Sequence, residues 1–219
     1  MSVDDFRSSR RPSPLGGRKP TKADLAQFAN ADPESIDDVL PHESDPSVRL
    51  RLLIVGINPG LWTAAVNAPF ARPGNRFWPS LHRAGLTDHE VDASRGLDPR
   101  DEAELLARGI GITNIVGRAT ARADELSKQE LRDGAARLVR RAQALRPKCV
   151  AIAGITAFRI GFSQPKAQIG QQDTTTIPGW PDDVALHVVP QPSGLNAHFT
   201  VDSLAAIWAD LWKSIGESG

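Results

Sequence analysis

Three side-chain amides stand where apolar runs give way to polar turns. Asn58 opens Asn58-Pro59-Gly60 directly after the run RLRLLIVGI at 49–57. Gln191 opens Gln191-Pro192-Ser193-Gly194-Leu195-Asn196 directly after VALHVVP at 184–190. Asn114 closes the run GIGITN. A carboxamide both donates and accepts hydrogen bonds, so it holds a water molecule well, but it is not a strong base. It suits a reaction whose nucleophile needs orientation more than deprotonation. Asn-Pro-Gly is also a strong turn former, so the residues around Asn58 leave a structural and a catalytic reading open. Phe70 lies in Pro69-Phe70-Ala71-Arg72-Pro73, proline-rich for a core element, which leaves a pocket reading open beside the ordinary one of a core phenylalanine.

Other chemistries are excluded or disfavoured. The lone Cys149, in the apolar run KCVAIAG, rules out a disulfide framework, a Cys-rich zinc site and a four-Cys iron–sulfur cluster. It is expected to be a buried, inert thiol. His82, His89 and His187 have no ligand spacing for a metal, and His198 reads as a solvent-facing loop residue. No metal and no cofactor are therefore expected. The usual phosphate-cradling patterns, GxxxxGK[ST] and GxGxxG, are absent.

The elements that carry these residues alternate in type. Strands are expected at 49–57, in GIGITNIV, in KCVAIAG and at 184–190. Helices are expected at 75–84, 101–108 and 155–162, and at 201–215 with Leu204, Ile207, Leu211 and Ile215 on one side. A long helix should start at the capping box Ser127/Glu130 and stop before Pro147. This alternation predicts a three-layer α/β/α domain over 48–216 around a central, largely parallel, four-stranded sheet. Ligands of such sheets sit at the carboxyl ends of the strands, the rim on which the turns after Ile57 and Pro190 both fall. Ahead of the domain, residues 1–20 (Arg7, Arg10, Arg11, Arg18 and Lys19 among Ser, Pro and Gly) read as a disordered basic tail. Residues 21–47 read as an acidic, partly helical extension.

The 219 residues suffice for one domain with a core, and the 26 basic and 26 acidic residues cancel. A zero balance argues against a broad non-specific nucleic-acid footprint while leaving room for a compact one. No apolar run is long enough for a membrane span. The basic N-terminal residues have no apolar stretch behind them, as a secretory signal would, so a cytoplasmic location is expected.

GINPGLWTAAVNAPFARPGNRFW (56–78), GITNIVGRATARADELSKQEL (111–131), GFSQPKAQIG (161–170) and QPSGLN (191–196) together resemble, in order, the mismatch-specific uracil-DNA and thymine-DNA glycosylase family. The resemblance runs from roughly residue 50 to 215. It implies a uracil-DNA glycosylase-like fold and a monomer without cofactor or membrane association. The implied partner is double-stranded DNA holding a mismatched or damaged base. The implied reaction extrudes that base and hydrolyses its N-glycosidic bond. In this light Asn58 orients the water and Phe70 stacks on the extruded base. The backbone amides of Ile57 and Phe70 bind its carbonyls, and Asn114 approaches it. Thr63 faces carbon 5 of the pyrimidine and should crowd a thymine methyl, favouring uracil in G·U over thymine in G·T. Gly194 and Leu195 enter the duplex, Gly194 allowing close approach to the opposite base, while Ser193 bonds a phosphate.

Arg72, Arg76, Arg118, Arg122 and Lys166 flank the matched motifs and are expected on phosphates. Trp62 either stacks near the DNA or packs inside. Gln191 departs from the pattern: relatives often carry Asn there and other branches a histidine, so leaving-group help should be weak. No lysine lies in the matched catalytic motifs, which argues against Schiff-base lyase chemistry. A non-catalytic mismatch reader on the same fold and an unrelated nucleotide- or anion-binding α/β domain are the competing readings. Asn58 speaks against the first and the missing phosphate motifs against the second.

Overall fold

A computed structural model describes residues 10–30, 36–41, 49–194, 196 and 198–216. Four short apolar segments form parallel strands: β1 (Leu52–Gly56), β2 (Ile110–Asn114), β3 (Cys149–Ala153) and β5 (Ala185–Val189). The fifth, β4 (Gly170–Gln171), pairs antiparallel with β5, and the order across the sheet is β2-β1-β3-β5-β4. The expected four-stranded sheet thus gains an edge strand. β4 is two residues long and lacks an apolar run, so no periodicity marks it in the sequence.

β1 and β3 are buried along their whole length, as strands covered on both faces must be. Alternation along them splits the core. Leu52, Ile54 and Ala151 face one layer with Phe77, Leu105 and Trp208. Leu53, Val55 and Val150 face the other with Leu138 and Phe158. Helices α2 (Leu61–Val66), α3 (Phe77–Arg83), α4 (Pro99–Ala107) and α7 (Val201–Ser214) cover the first face. Helices α5 (Lys128–Leu145) and α6 (Ile155–Gly161) cover the second. Both halves of the α5 capping box form, Glu130 N donating to Ser127 Oγ at 3.1 Å and Ser127 N to Glu130 Oε2 at 2.8 Å. Cys149 is buried, and burial pushes its thiol up to about 12. No helix among the described residues is long and apolar enough to cross a membrane.

Residues 1–9 of the expected basic tail, Arg7 among them, lie outside the described residues, and most side chains from Arg11 to Lys19 are exposed. Arg10 is anchored to the domain. The Arg10 side chain is 5% exposed, lies 3.2 Å from Glu102 of α4, and donates to the carbonyls of Asp37 (2.8 Å) and Asn67. Asn67, the left-handed cap of α2, donates to Arg11 O at 2.9 Å and to Asp37 Oδ2 at 2.8 Å. Val39 exchanges two backbone bonds with Ile112, at 2.8 and 2.9 Å, so this segment reaches the sheet edge beside β2. In the acidic extension, α1 (Lys22–Gln27) supplies the helical part, and Asp37 and Asp38 meet Arg11 and Arg141 at 2.7 Å each. A buried cation is tolerated because a carboxylate and carbonyls satisfy it. Those partners are distant in the chain, which is why composition alone misreads the segment.

Candidate active site

β1 and β2 run side by side with Gly56 opposite Asn114. Their pairing continues past the strands, through Ile115 N to Gly56 O (2.9 Å) and Val116 N to Ile57 O (3.0 Å). The following loop folds over the end of β1, where Thr120 N donates to Pro59 O at 3.1 Å. It captures the Asn58 amide. Nδ2 donates to Thr120 Oγ1 at 2.7 Å and to Arg118 O at 3.0 Å, with Pro59 O at 3.2 Å. The hydroxyl of Thr120, a buried residue, in turn donates to Arg122 O at 2.8 Å, leaving a lone pair for Asn58. With its N–H groups engaged, the side-chain carbonyl of Asn58 is the acceptor that remains. The loop is braced by Arg118, whose Nε lies 2.7 Å from Glu130 Oε1. That guanidinium, helped by bonds from Ser127, draws the Glu130 carboxyl down to about 2.

A cleft of about 560 Å³ opens at this rim, a size suited to a small organic ligand. Of the residues nominated from sequence, Ile57, Asn58, Thr63, Phe70 and Asn114 line it from the β1 and β2 side, and Gln191 and Ser193 from the β5 side. Gly194 is not on the wall. Leu195 lies outside the described residues. Thr63 is 6% exposed, so what the cleft meets is a packed side chain.

Phe70 sits at φ 53°, the left-handed region, and its ring stacks on Phe77 with centroids 3.8 Å apart. A non-glycine residue held there costs on the order of 1–3 kcal/mol, and such strain gathers at functional sites. Gly56 leaves open the space against which Phe70 and Asn114 both lie. A Cβ on Gly56 would stand 2.5 Å from Asn114 Oδ1 and 3.3 Å from Phe70 Cζ. Sequence reasoning did not nominate Gly56, although a glycine ending a β-branched strand is a recognised mark of close approach. It also overlooked Thr120, whose role depends on a partner 62 positions away.

The β5 side is held differently. Arg76, which caps α3, gives its backbone N–H to Pro192 O at 2.8 Å. Its guanidinium donates to Phe199 O at 2.6 Å, to Gly194 O at 3.2 Å and to Asn196 O. Arg76 is therefore committed to protein carbonyls, not the phosphate contact expected of it. Gly194 does permit a close approach, but to the protein itself: a Cβ there would stand 2.4 Å from Gly74 O.

Arg118 and Arg122 also have protein partners, Arg122 Nε donating to Asp124 at 3.0 Å. Arg72 is exposed on the cleft wall, and Lys166 is exposed away from it. Trp62 packs inside, its indole N–H donating to Ser94 O at 2.9 Å. Away from the cleft the fold assembles a histidine–carboxylate group that chain spacing did not reveal. His89 Nε2 lies 3.0 Å from Asp101, while Glu104 is engaged by Arg108 at 3.1 Å.

Fold and cleft together define an α/β protein with a cleft of polar and aromatic residues at the carboxyl edge of its sheet. The family model described as the Uracil DNA glycosylase superfamily matches residues 42–212. The chain belongs to that superfamily, whose members are DNA glycosylases of base excision repair, hydrolases that act on DNA. The match begins after the segment that carries Arg10, Asp37 and Val39.

Proposed function

We propose that this protein is a monofunctional glycosylase of the mismatch-specific type. It removes uracil, and thymine less well, from G·U and G·T pairs in double-stranded DNA. The observation that carries the reading is the Asn58 amide, its Nδ2 bound to Thr120 Oγ1 at 2.7 Å and to Arg118 O at 3.0 Å at the wall of a cleft with room for a base and its sugar. A base inside a duplex is out of reach, so the nucleotide is extruded into the cleft. There the ring meets Phe70 and Asn114, with the backbone amides of Ile57 and Phe70 as donors to its carbonyls. Thr63 fills the space a thymine methyl would need.

Water then attacks C1′. Its oxygen bonds to that carbon as the C1′–N bond breaks, the electron pair leaves with the base, and the water's proton is lost to solvent. Among the described residues lining the cleft, the single carboxylate, Asp124, is paired with Arg122. Asn58 therefore orients the water and the sugar cation supplies the drive, which makes a slow enzyme. Gln191 offers the departing base a neutral hydrogen bond only. No lysine is among those lining residues, so the product is an abasic strand left intact. At the β5 side, Ser193 and Gly194 would meet the duplex, and Leu195, which lies outside the described residues, would be the wedge that fills the vacated stack.

One incubation tests this reading. A labelled duplex with a single G·U pair should yield strand breaks only after alkali. Breaks without alkali would mean lyase chemistry. Tight binding with no abasic product would mean a mismatch reader and sink the catalytic claim.

A further inference from the structure

We infer that Arg76 is the positioning residue that sets the loop after β5 in its DNA-ready shape before any DNA arrives. This deepens the glycosylase reading and rests on it for the consequence in DNA. One residue holds four carbonyls of that loop: Pro192 through its backbone N–H, and Gly194, Asn196 and Phe199 through its guanidinium. The last three lie 118 to 123 positions away in sequence, so no local turn rule produces the arrangement.

A guanidinium suits the task because its planar fork presents five donors at fixed angles. The platform beneath it is rigid. Arg76 starts α3, whose Phe77 stacks on Phe70 and meets Trp208 of α7 edge-on at 6.2 Å. On the loop's other side the Gly194 backbone passes so near Gly74 that a Cβ there would stand 2.4 Å from Gly74 O. Arg76 shares none of its bonds with Asn58, Arg118 or Thr120, the group that holds the water. A loop ordered in advance loses less entropy on binding. Arg76 therefore acts on duplex engagement and not on the hydrolytic step.

The test uses the full chain, with Arg76→Ala and Arg76→Lys. The readouts are hydrogen exchange by mass spectrometry and steady-state kinetics on a G·U duplex. In Arg76→Ala, peptides covering 191–199 should exchange tenfold faster or more, while 77–83 and 201–214 change less than twofold. KM should rise tenfold or more with kcat within threefold, and Arg76→Lys should recover part of both losses. Unchanged exchange at 191–199 would overturn the inference. So would an equal rise in α3 and α7, which marks a general folding role, or a fall in kcat at constant KM. If the wild-type protein makes no abasic product, the glycosylase reading fails, and the exchange arm still decides whether Arg76 holds the loop.

Discussion

The two strand ends that meet at the cleft are held by opposite means. After β1 it is a side chain that is bound, the Asn58 amide being fixed by Thr120 and Arg118. After β5 it is the backbone that is bound, through Arg76, while Gln191 stays exposed on the wall. In the proposed reaction the first arrangement would aim one oxygen at the reacting centre, where a small misplacement costs rate. The second fixes the course of a loop and leaves its side chains to meet a partner. The rigid side also accepts strain, in the left-handed Phe70, and close packing, at Gly56.

The comparison can be broken most decisively at Asn58. Asn58→Ala should lower kcat on a G·U duplex by about 10²–10³-fold, the scale for losing one oriented polar group. Affinity for a duplex carrying an uncleavable uridine analogue should stay within threefold. A variant that keeps full turnover removes the water-holder from the mechanism.

Gly56→Ala comes next. Its Cβ would stand 2.5 Å from Asn114 Oδ1 and 3.3 Å from Phe70 Cζ, so both must shift. Melting should show a loss of about 1–3 kcal/mol, and kcat/KM should fall tenfold or more. A variant with unaltered kcat/KM would detach the Asn114–Phe70 wall from function.

Thr120→Val sharpens the difference between the two ends, because it removes the nearest acceptor of Asn58 Nδ2, together with the bond the hydroxyl gives to Arg122 O. Nδ2 keeps Arg118 O as an acceptor, so the loss is that of one hydrogen bond, about 0.5–1.5 kcal/mol; kcat should fall by up to roughly tenfold at constant KM, and Thr120→Ser should restore it. A rise in KM instead would place Thr120 on the DNA side. The smallest effect is expected at Thr63. Thr63→Ala should raise the G·T rate relative to G·U by about fivefold, the worth of roughly one methyl group in a pocket. Competition between the two duplexes in one reaction measures this ratio, and an unchanged ratio would remove Thr63 from discrimination.

Much of the framework was legible along the chain. Apolar runs marked β1, β2, β3 and β5, and Ser127 with Glu130 marked the start of α5. Strand ends marked the rim, and seven nominated residues, Asn58 and Phe70 among them, do line one cleft. The misreadings share a cause. β4 is too short to show a period. Arg10 looked solvated because Glu102, Asp37 and Asn67 are remote from it in the chain. Arg76 looked like a phosphate ligand because its carbonyl partners are more than a hundred positions on.

By itself, then, the sequence determined which elements form and which residue types stand at the open ends of the strands, since both follow from local periodicity and turn chemistry. Only the tertiary structure decided which polar atoms are already engaged. It fixed the Asn58 amide on Thr120, committed Arg76 to the loop after β5, and set Gly56 beneath Asn114 and Phe70. A hydrogen bond depends on distance and angle in space, and no spacing along the chain records those when its two ends come from different elements.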